Sequence, residues 1–242
     1  MRFKDFIVKI LTFGIYNPKW RCNDCGKETF SGEFFCETCE KNLPYNNKTV
    51  CNHCGREIKN PSEYCSTCKE TLVSVDKARS VFKYETPISG LIKRAKYNNG
   101  RYILDYFAEK LANVCFAEFS KSEVICCVPM SEKRLKKRGY NQSEILARKV
   151  AEIINVPFCD CIIKTKETER QATLTRRERL KNLTDTFKVT DKKPVRGKNV
   201  LLIDDVSTTG ATAEAVAIKL KKSGALRVYL LTVASVPNKD GY

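Results

Sequence analysis

The chain has 242 residues, enough for one medium domain plus a small module, and 42% of them are hydrophobic, which suits a packed core rather than a disordered chain. Its 44 Lys and Arg outweigh 28 Asp and Glu, giving a formal charge of +16. Such a surface favours polyanions: nucleic acid, nucleotides or anionic lipid, although a basic soluble protein without a nucleic-acid partner has the same balance. No run of about 18 apolar residues occurs, which excludes a transmembrane helix, and a single histidine argues against a His-based catalytic triad.

The first segment, Met1 to Phe13, spreads charges through an apolar pattern. It lacks a signal-peptide core and a small-residue cleavage site. A short amphipathic helix within residues 1–20 is expected, packed on the body, with a membrane surface as its other possible partner.

Residues 21–70 carry eight of the 13 cysteines. They form two sets, Cys22, Cys25, Cys36, Cys39 and Cys51, Cys54, Cys65, Cys68. Each reads C-x2-C-x10-C-x2-C, and the sets are offset by 51 − 22 = 29 residues. Gly26 and Gly55 follow the second cysteine of each set, where the tight turn can require positive φ. Two such turns supply four thiolates in a tetrahedron, so each set predicts a closed, structural zinc site. Pairing within each repeat and interleaved pairing both satisfy the spacing. A disulfide framework has no secretion signal to support it. His53 lies inside one C-x2-C turn and reads as a neighbour of the metal. The remaining cysteines, including Cys126 and Cys127, read as apolar packing residues.

From residue 71 to 242 the pattern predicts a third region. Strand-like stretches lie between Leu72 and Tyr84. A basic helix runs over 88–96 and a second over 102–119. Val124 to Val128 reads as a buried strand leading into a basic loop, Ser131 to Tyr140. Asn141, Gln142 and Ser143 open a helix that ends near Ile154, with a side chain suited to capping. Short strands follow at 162–164 and 187–189, separated by a basic segment at 168–182. Val200 to Ile203 is a buried strand, a helix runs from about Thr212 to Ser223, and Arg227 to Ala234 is the last strand. Strands alternating with helices indicate an α/β parallel sheet flanked by helices. In open sheets of this kind a ligand sits at the carboxyl ends of the strands.

The segment from Val200 to Thr212 carries the most chemistry. A strand ends in Asp204 and Asp205, then Ser207, Thr208, Thr209 and Gly210 precede a helix. Backbone N–H groups at that helix start can hold a phosphate, and Gly210 lets the backbone come close. The carboxylates would repel phosphate, so they suit ribose hydroxyls or the water shell of a metal ion. Arg134 and Arg138 could clamp a pyrophosphate bidentately. Arg170, Arg176, Arg177 and Arg179 could close over the site or face a polyanion. Lys93, Lys96, Lys136 and Lys137 are further candidates for nucleic-acid contact.

The same segment resembles the phosphoribosyl pyrophosphate (PRPP) loop of type I phosphoribosyltransferases. The resemblance implies that Asp204 and Asp205 contact the ribose 2- and 3-hydroxyls and serve as the catalytic carboxylates. It also implies that Ser207, Thr208, Thr209, Gly210, Ala211 and Thr212 hold the 5-phosphate.

Across residues 20–235 the chain resembles the ComF family. The resemblance is carried by the cysteine sets, Lys96-Tyr97, and Val128 through Arg138-Gly-Tyr-Asn-Gln142. Gln171, Leu174, Arg179, Asn182, Phe187, the Leu202–Thr212 segment and Gly224-Ala225 complete it. A departure is Thr184-Asp-Thr186 before Phe187, where a Gly-Ala pair is common. The resemblance implies a type I phosphoribosyltransferase-like α/β domain with a small N-terminal zinc-ribbon module and PRPP–Mg as ligand. It places the pyrophosphate near Ser131, Arg134 and Arg138. The implied role is handling of imported single-stranded DNA in natural competence, beside a DNA-uptake protein. The expected location is the cytoplasm, with the inner membrane face as a second place. An active phosphoribosyltransferase acting on an unidentified acceptor is the alternative function.

Overall fold

A computed structural model of the protein describes residues 21–29, 32–46, 49–58, 64, 65, 68, 74–97, 100–166, 180 and 182–236. The expected N-terminal helix and most of the basic segment 168–182 lie outside the described residues. The chain divides into two compact units, Met1–Leu43 and Pro44–Tyr242, so each unit carries one cysteine set.

In the smaller unit Arg21 and Glu28 pair antiparallel across the first cysteine turn. Helix α1 (Glu37–Lys41) starts directly after Cys36. Cys22, Phe35 and Leu43 are its buried apolar residues among those described.

The larger unit runs β1 (Lys77–Lys83), α2 (Ile88–Arg94), α3 (Arg101–Glu118), β2 (Val124–Cys127), α4 (Glu132–Arg138) and α5 (Gln142–Ile154). There follow β3 (Ile162–Lys164), β4 (Phe187–Val189), β5 (Asn199–Ser207), α6 (Ala211–Lys222) and β6 (Arg227–Ser235). Four strands form a parallel sheet in the order β1-β6-β5-β2. Parallel strands need crossovers, and the helices that supply them cover the sheet, so the strands read as nearly continuous apolar runs. Val124, Cys126, Val200, Leu202, Val228 and Leu230 pack with Val216 and Leu220 of α6 and with Phe187 and Val189. The alternate residues Ile125, Cys127, Leu201, Ile203 and Leu231 are buried as well. Helix α5 packs on β2 and β5, and α3 on β1 and β6.

Three features differ from the sequence pattern. Strands β3 and β4 pair antiparallel as a separate ribbon rather than joining the parallel sheet. Residues 132–138 are helical, not loop. Ser131 is extended ahead of α4, Glu132 sits in its first turn, Lys136, Lys137 and Arg138 in its last, and Gly139 ends it in the left-handed conformation. That charge order matches the helix dipole and its ending is a common helix stop. Finally, β5 continues through the Asp pair to Ser207. It stays bonded to β6 up to Ser207–Ser235, whereas β2 leaves it at Cys127–Ile203. Asp204 and Asp205 therefore stand on a strand that projects beyond the end of β2.

Candidate functional site

The carboxyl ends of β2 and β5 open into a cleft of about 200 Å³. Val128, Pro129, Met130 and Ser131 line it after β2, and Arg134 and Arg138 enter from α4. Asn141, Gln142 and Ser143 come from the start of α5, Asp204 and Asp205 from β5, and Thr212 from α6. Lys96, Lys164 and Phe187 complete the lining.

The start of α5 is built to orient β5. Asn141 accepts from the Ser143 N–H at 3.2 Å as a helix cap, and its Nδ2 donates to the Val128 carbonyl at 3.1 Å. Ser143 is thereby held so that its Oγ donates to Asp204 Oδ1 at 2.7 Å. The Asp205 N–H donates to the same oxygen at 2.8 Å. Burial first, and then the charge of Asp205, push the Asp204 carboxyl up to about 7, against the pull of those hydrogen bonds and of Lys96. Lys96 Nζ lies 3.4 Å from Asp205 Oδ2. Arg138 donates to Gln142 Oε1 at 3.4 Å, which ties α4 to α5.

After the carboxylates the chain turns at Ser207, Thr208, Thr209 and Gly210. Thr208 and Thr209 are exposed, and Ser207 Oγ is buried with no hydrogen-bond partner among the described residues. Gly210 has φ +75°, which side-chain-bearing residues seldom adopt, and a Cβ added there would meet nothing within 4 Å. The space beside Gly210 is thus open, and α6 begins at Ala211 with its positive end toward the loop. Thr212 Oγ1 belongs to a residue lining the cleft, while Thr209 Oγ1 accepts from the Ala211 N–H at 3.4 Å.

Of the residues singled out by sequence, Asp204, Asp205, Thr212, Ser131, Arg134 and Arg138 line this one cleft, with Lys96 among them. Ser207, Thr208, Thr209, Gly210 and Ala211 are not among its lining residues, and neither are Lys93, Lys136 and Lys137, which are exposed. Arg170, Arg176, Arg177 and Arg179 lie outside the described residues. Sequence reading missed the role of Ser143, treated only as part of a helix start. It missed also Arg56, which donates to the Thr208 carbonyl, and Gln142 as an oriented side chain. No local signal marks Ser143 or Arg56, because they lie 61 and 152 residues from the groups they meet.

The cysteine sets pair within each repeat. In each, the four Sγ atoms lie within 4.8 Å of one another. Cys25 and Cys36 sulfurs are 3.8 Å apart, and Cys54 and Cys65 sulfurs 3.9 Å. Four thiolates at about 2.3 Å from one zinc stand roughly 3.8 Å apart in a tetrahedron, so the residues fit the metal. The backbone repeats as well: Gly26 and Gly55 N–H groups donate to Cys22 and Cys51 carbonyls, at 3.0 and 2.8 Å. In the second set, hydrogen bonds from Cys54 and Cys68 hold the Cys51 thiol far below its ordinary range. The chain has two four-cysteine zinc sites, both without an open position for substrate. His53 is no member of either set. Its Nδ1 lies 3.3 Å from the Val75 carbonyl and its ring stacks on Tyr64. Cys126 and Cys127 are buried strand residues, and burial pushes the Cys127 thiol far up.

A family model for a phosphoribosyl transferase domain matches residues 117–241, and one for a double zinc ribbon domain matches residues 14–69. Competence protein F of Haemophilus influenzae is 30% identical over 159 residues, spanning 62% of this chain and 69% of that protein. DNA utilization protein YhgH of Escherichia coli K12 is 29% identical over 155 residues, spanning 62% and 67%. Among solved structures, the allosteric regulatory enzyme of purine biosynthesis overlays with a TM-score of 0.40 and 19% identity, over 54% of this chain and 26% of that one. Family models thus match both parts of the chain, and it belongs to the ComF family, as a double zinc ribbon joined to a phosphoribosyltransferase-type domain.

Proposed function

We propose that the chain binds PRPP with Mg2+ in the cleft at the ends of β2 and β5, and acts in uptake or handling of single-stranded DNA during natural transformation. One observation carries the ligand reading: Asp204, Asp205, Thr212, Arg134 and Arg138 surround one cleft beside an open glycine loop. The two carboxylates accept from the ribose 2- and 3-hydroxyls. Ser207 to Thr212 hold the 5-phosphate at the start of α6. Ser131, Arg134 and Arg138 take the pyrophosphate, where guanidinium forks match phosphate oxygens. Mg2+ arrives with the pyrophosphate and offsets its charge.

The DNA part of the proposal is supported by the +16 charge and by the names of the relatives, a competence protein and a DNA utilization protein. Exposed Lys93, Lys136 and Lys137 outside the cleft would contact backbone phosphates, together with Arg176, Arg177 and Arg179. The protein would work in the cytoplasm, with the inner membrane face as a second place and a DNA-uptake protein beside it. Described residues include no helix long and apolar enough to cross a membrane. Fluorescence anisotropy of a labelled single strand, at two salt concentrations with and without PRPP–Mg2+, tests this. Tight binding that weakens with salt is expected, and binding indifferent to salt would remove the DNA reading.

A second reading is favoured by the charges that share the cleft, two carboxylates and two arginines. Carboxylates beside a ribose that becomes cationic, with cations around a leaving pyrophosphate, suit phosphoribosyl transfer. Release of pyrophosphate in the presence of a base acceptor would establish it, and no release across a broad acceptor panel would discard it.

A further inference from the structure

Arg56 follows the first cysteine pair of the second ribbon, and the turn fixes its backbone. The Gly55 N–H donates to the Cys51 carbonyl, and the Cys51 N–H to the Arg56 carbonyl, both at 2.8 Å. Gly55 lies against β1, where an added Cβ would come within 2.9 Å of Arg79 Cα and 3.0 Å of the Ala78 carbonyl. Only glycine allows the ribbon to sit that close. Hydrogen bonds hold it there: Ala78 N–H to the Asn52 carbonyl at 3.0 Å, and Asn46 Nδ2 to the Gly55 carbonyl at 2.7 Å.

From this anchored position the Arg56 side chain, on a residue only 8% exposed, reaches the phosphate loop and donates to the Thr208 carbonyl. A second tie runs from the segment between ribbon and β1. The Ser74 and Val75 N–H groups donate to the carboxylate of Glu214, in the first turn of α6. The loop is thus held at its middle and just beyond its end by the ribbon and its exit segment. In a planar trans peptide the Thr209 N–H points opposite to the Thr208 carbonyl. Fixing that carbonyl toward Arg56 therefore aims the next N–H away from the ribbon, and places a buried positive charge beneath the loop.

We infer that the second zinc ribbon is a working part of the anion site: Arg56 is a positioning residue that sets the Ser207–Thr212 loop through the Thr208 carbonyl. The thiolates of Cys51, Cys54, Cys65 and Cys68, closed on zinc, keep the turn that aims it. This inference deepens the reading that the loop takes the phosphate of PRPP and rests on it for the ligand alone. The link from ribbon to loop stands on the contacts themselves.

The test uses the full zinc-loaded chain and the variants Arg56→Met, which keeps the stem, and Arg56→Lys, which keeps charge and a donor. Amide hydrogen exchange is followed without ligand, and PRPP–Mg2+ binding by calorimetry, with zinc content measured in each sample. In Arg56→Met the amides of residues 207–212 should exchange about tenfold faster, as expected for loss of one hydrogen bond from a charged donor. Strand β6 should stay protected and zinc content unchanged, and Arg56→Lys should recover part of the protection. PRPP should bind Arg56→Met about tenfold more weakly. Unchanged loop exchange, or faster exchange spread evenly over the sheet, overturns the inference. If the wild type binds no PRPP while the loop effect holds, the ligand reading fails and the ribbon-to-loop link survives.

Discussion

At Asp204, burial and the neighbouring Asp205 carboxylate both oppose ionisation, and the residue releases its proton near pH 7 in the fold against 3.8 ordinarily. The folded state therefore holds more protons between those values, so this group's stabilising contribution is complete below about 3.8 and is lost as pH rises through 7. Between pH 6 and pH 8 the loss amounts to about 1 kcal/mol, measurable by denaturant unfolding at the two values. Asp204→Asn should flatten that slope and leave the protein more stable than wild type at pH 8, while weakening PRPP binding. Such a trade of stability for a carboxylate placed for a ligand, as proposed for Asp204, is common at sites that carry function. A wild-type stability that stays flat from pH 6 to 8 would mean Asp204 is ionised throughout. At Gly210 the constraint is conformational. Gly210→Ala meets no neighbour within 4 Å, but it must adopt φ +75°, at a cost of roughly 1–2 kcal/mol. Its melting temperature should fall by several degrees and its PRPP affinity with it, whereas Gly90→Ala, in a helix with nothing within 4 Å, should not lose affinity.

At the scale of elements, α4 divides its charges. Arg134 and Arg138 line the cleft, whereas Lys136 and Lys137 do not and are exposed. The double variant Lys136→Ala/Lys137→Ala should therefore keep PRPP binding and weaken single-strand binding, with the slope of log affinity against log salt shallower by about 1.4. A matched loss of both ligands would show that the helix acts as one unit. The zinc ribbons make a separate prediction. Because the sets share no cysteine, Cys22→Ala and Cys51→Ala should each reduce bound zinc from two per chain to one. Loss of both metals in either variant would mean the sites are coupled. These elements were legible to unequal degrees. Repeat spacing marked all eight cysteines as metal ligands, since a C-x2-C turn is local, but left their pairing open, because ten residues separate the two turns of a set. The apolar runs of β2, β5 and β6 marked buried strands, because both faces of a parallel sheet are covered. Helix α4 is not legible as a helix in the sequence because Leu135 is its one apolar residue, so no periodicity exists to detect, although Ser131 and Gly139 flank it as helix boundaries. The antiparallel sense of β3 and β4 was not legible either, as three-residue strands carry no directional signal. Ser143 on Asp204 and Arg56 on Thr208 are tertiary contacts, set by how the sheet closes rather than by any local motif.

At the scale of the whole molecule, a net charge of +16 and a cleft holding two carboxylates make opposite demands on a ligand. A simple polyanion would meet the basic surface and be repelled from Asp204 and Asp205. A sugar phosphate satisfies both, because its hydroxyls suit the carboxylates and its phosphates suit the loop and the arginines. On the proposed reading, therefore, the cleft recognises a phosphorylated ribose. Isothermal titration of PRPP–Mg2+ into the wild type and Asp205→Asn, with ribose 5-phosphate and pyrophosphate as separate titrants, tests it most directly. Single-site binding by PRPP that is tighter than either fragment, and at least tenfold weaker in the variant, is the predicted result. Binding of pyrophosphate as tight as PRPP and unchanged in Asp205→Asn would contradict it, leaving a basic surface with no ribose site.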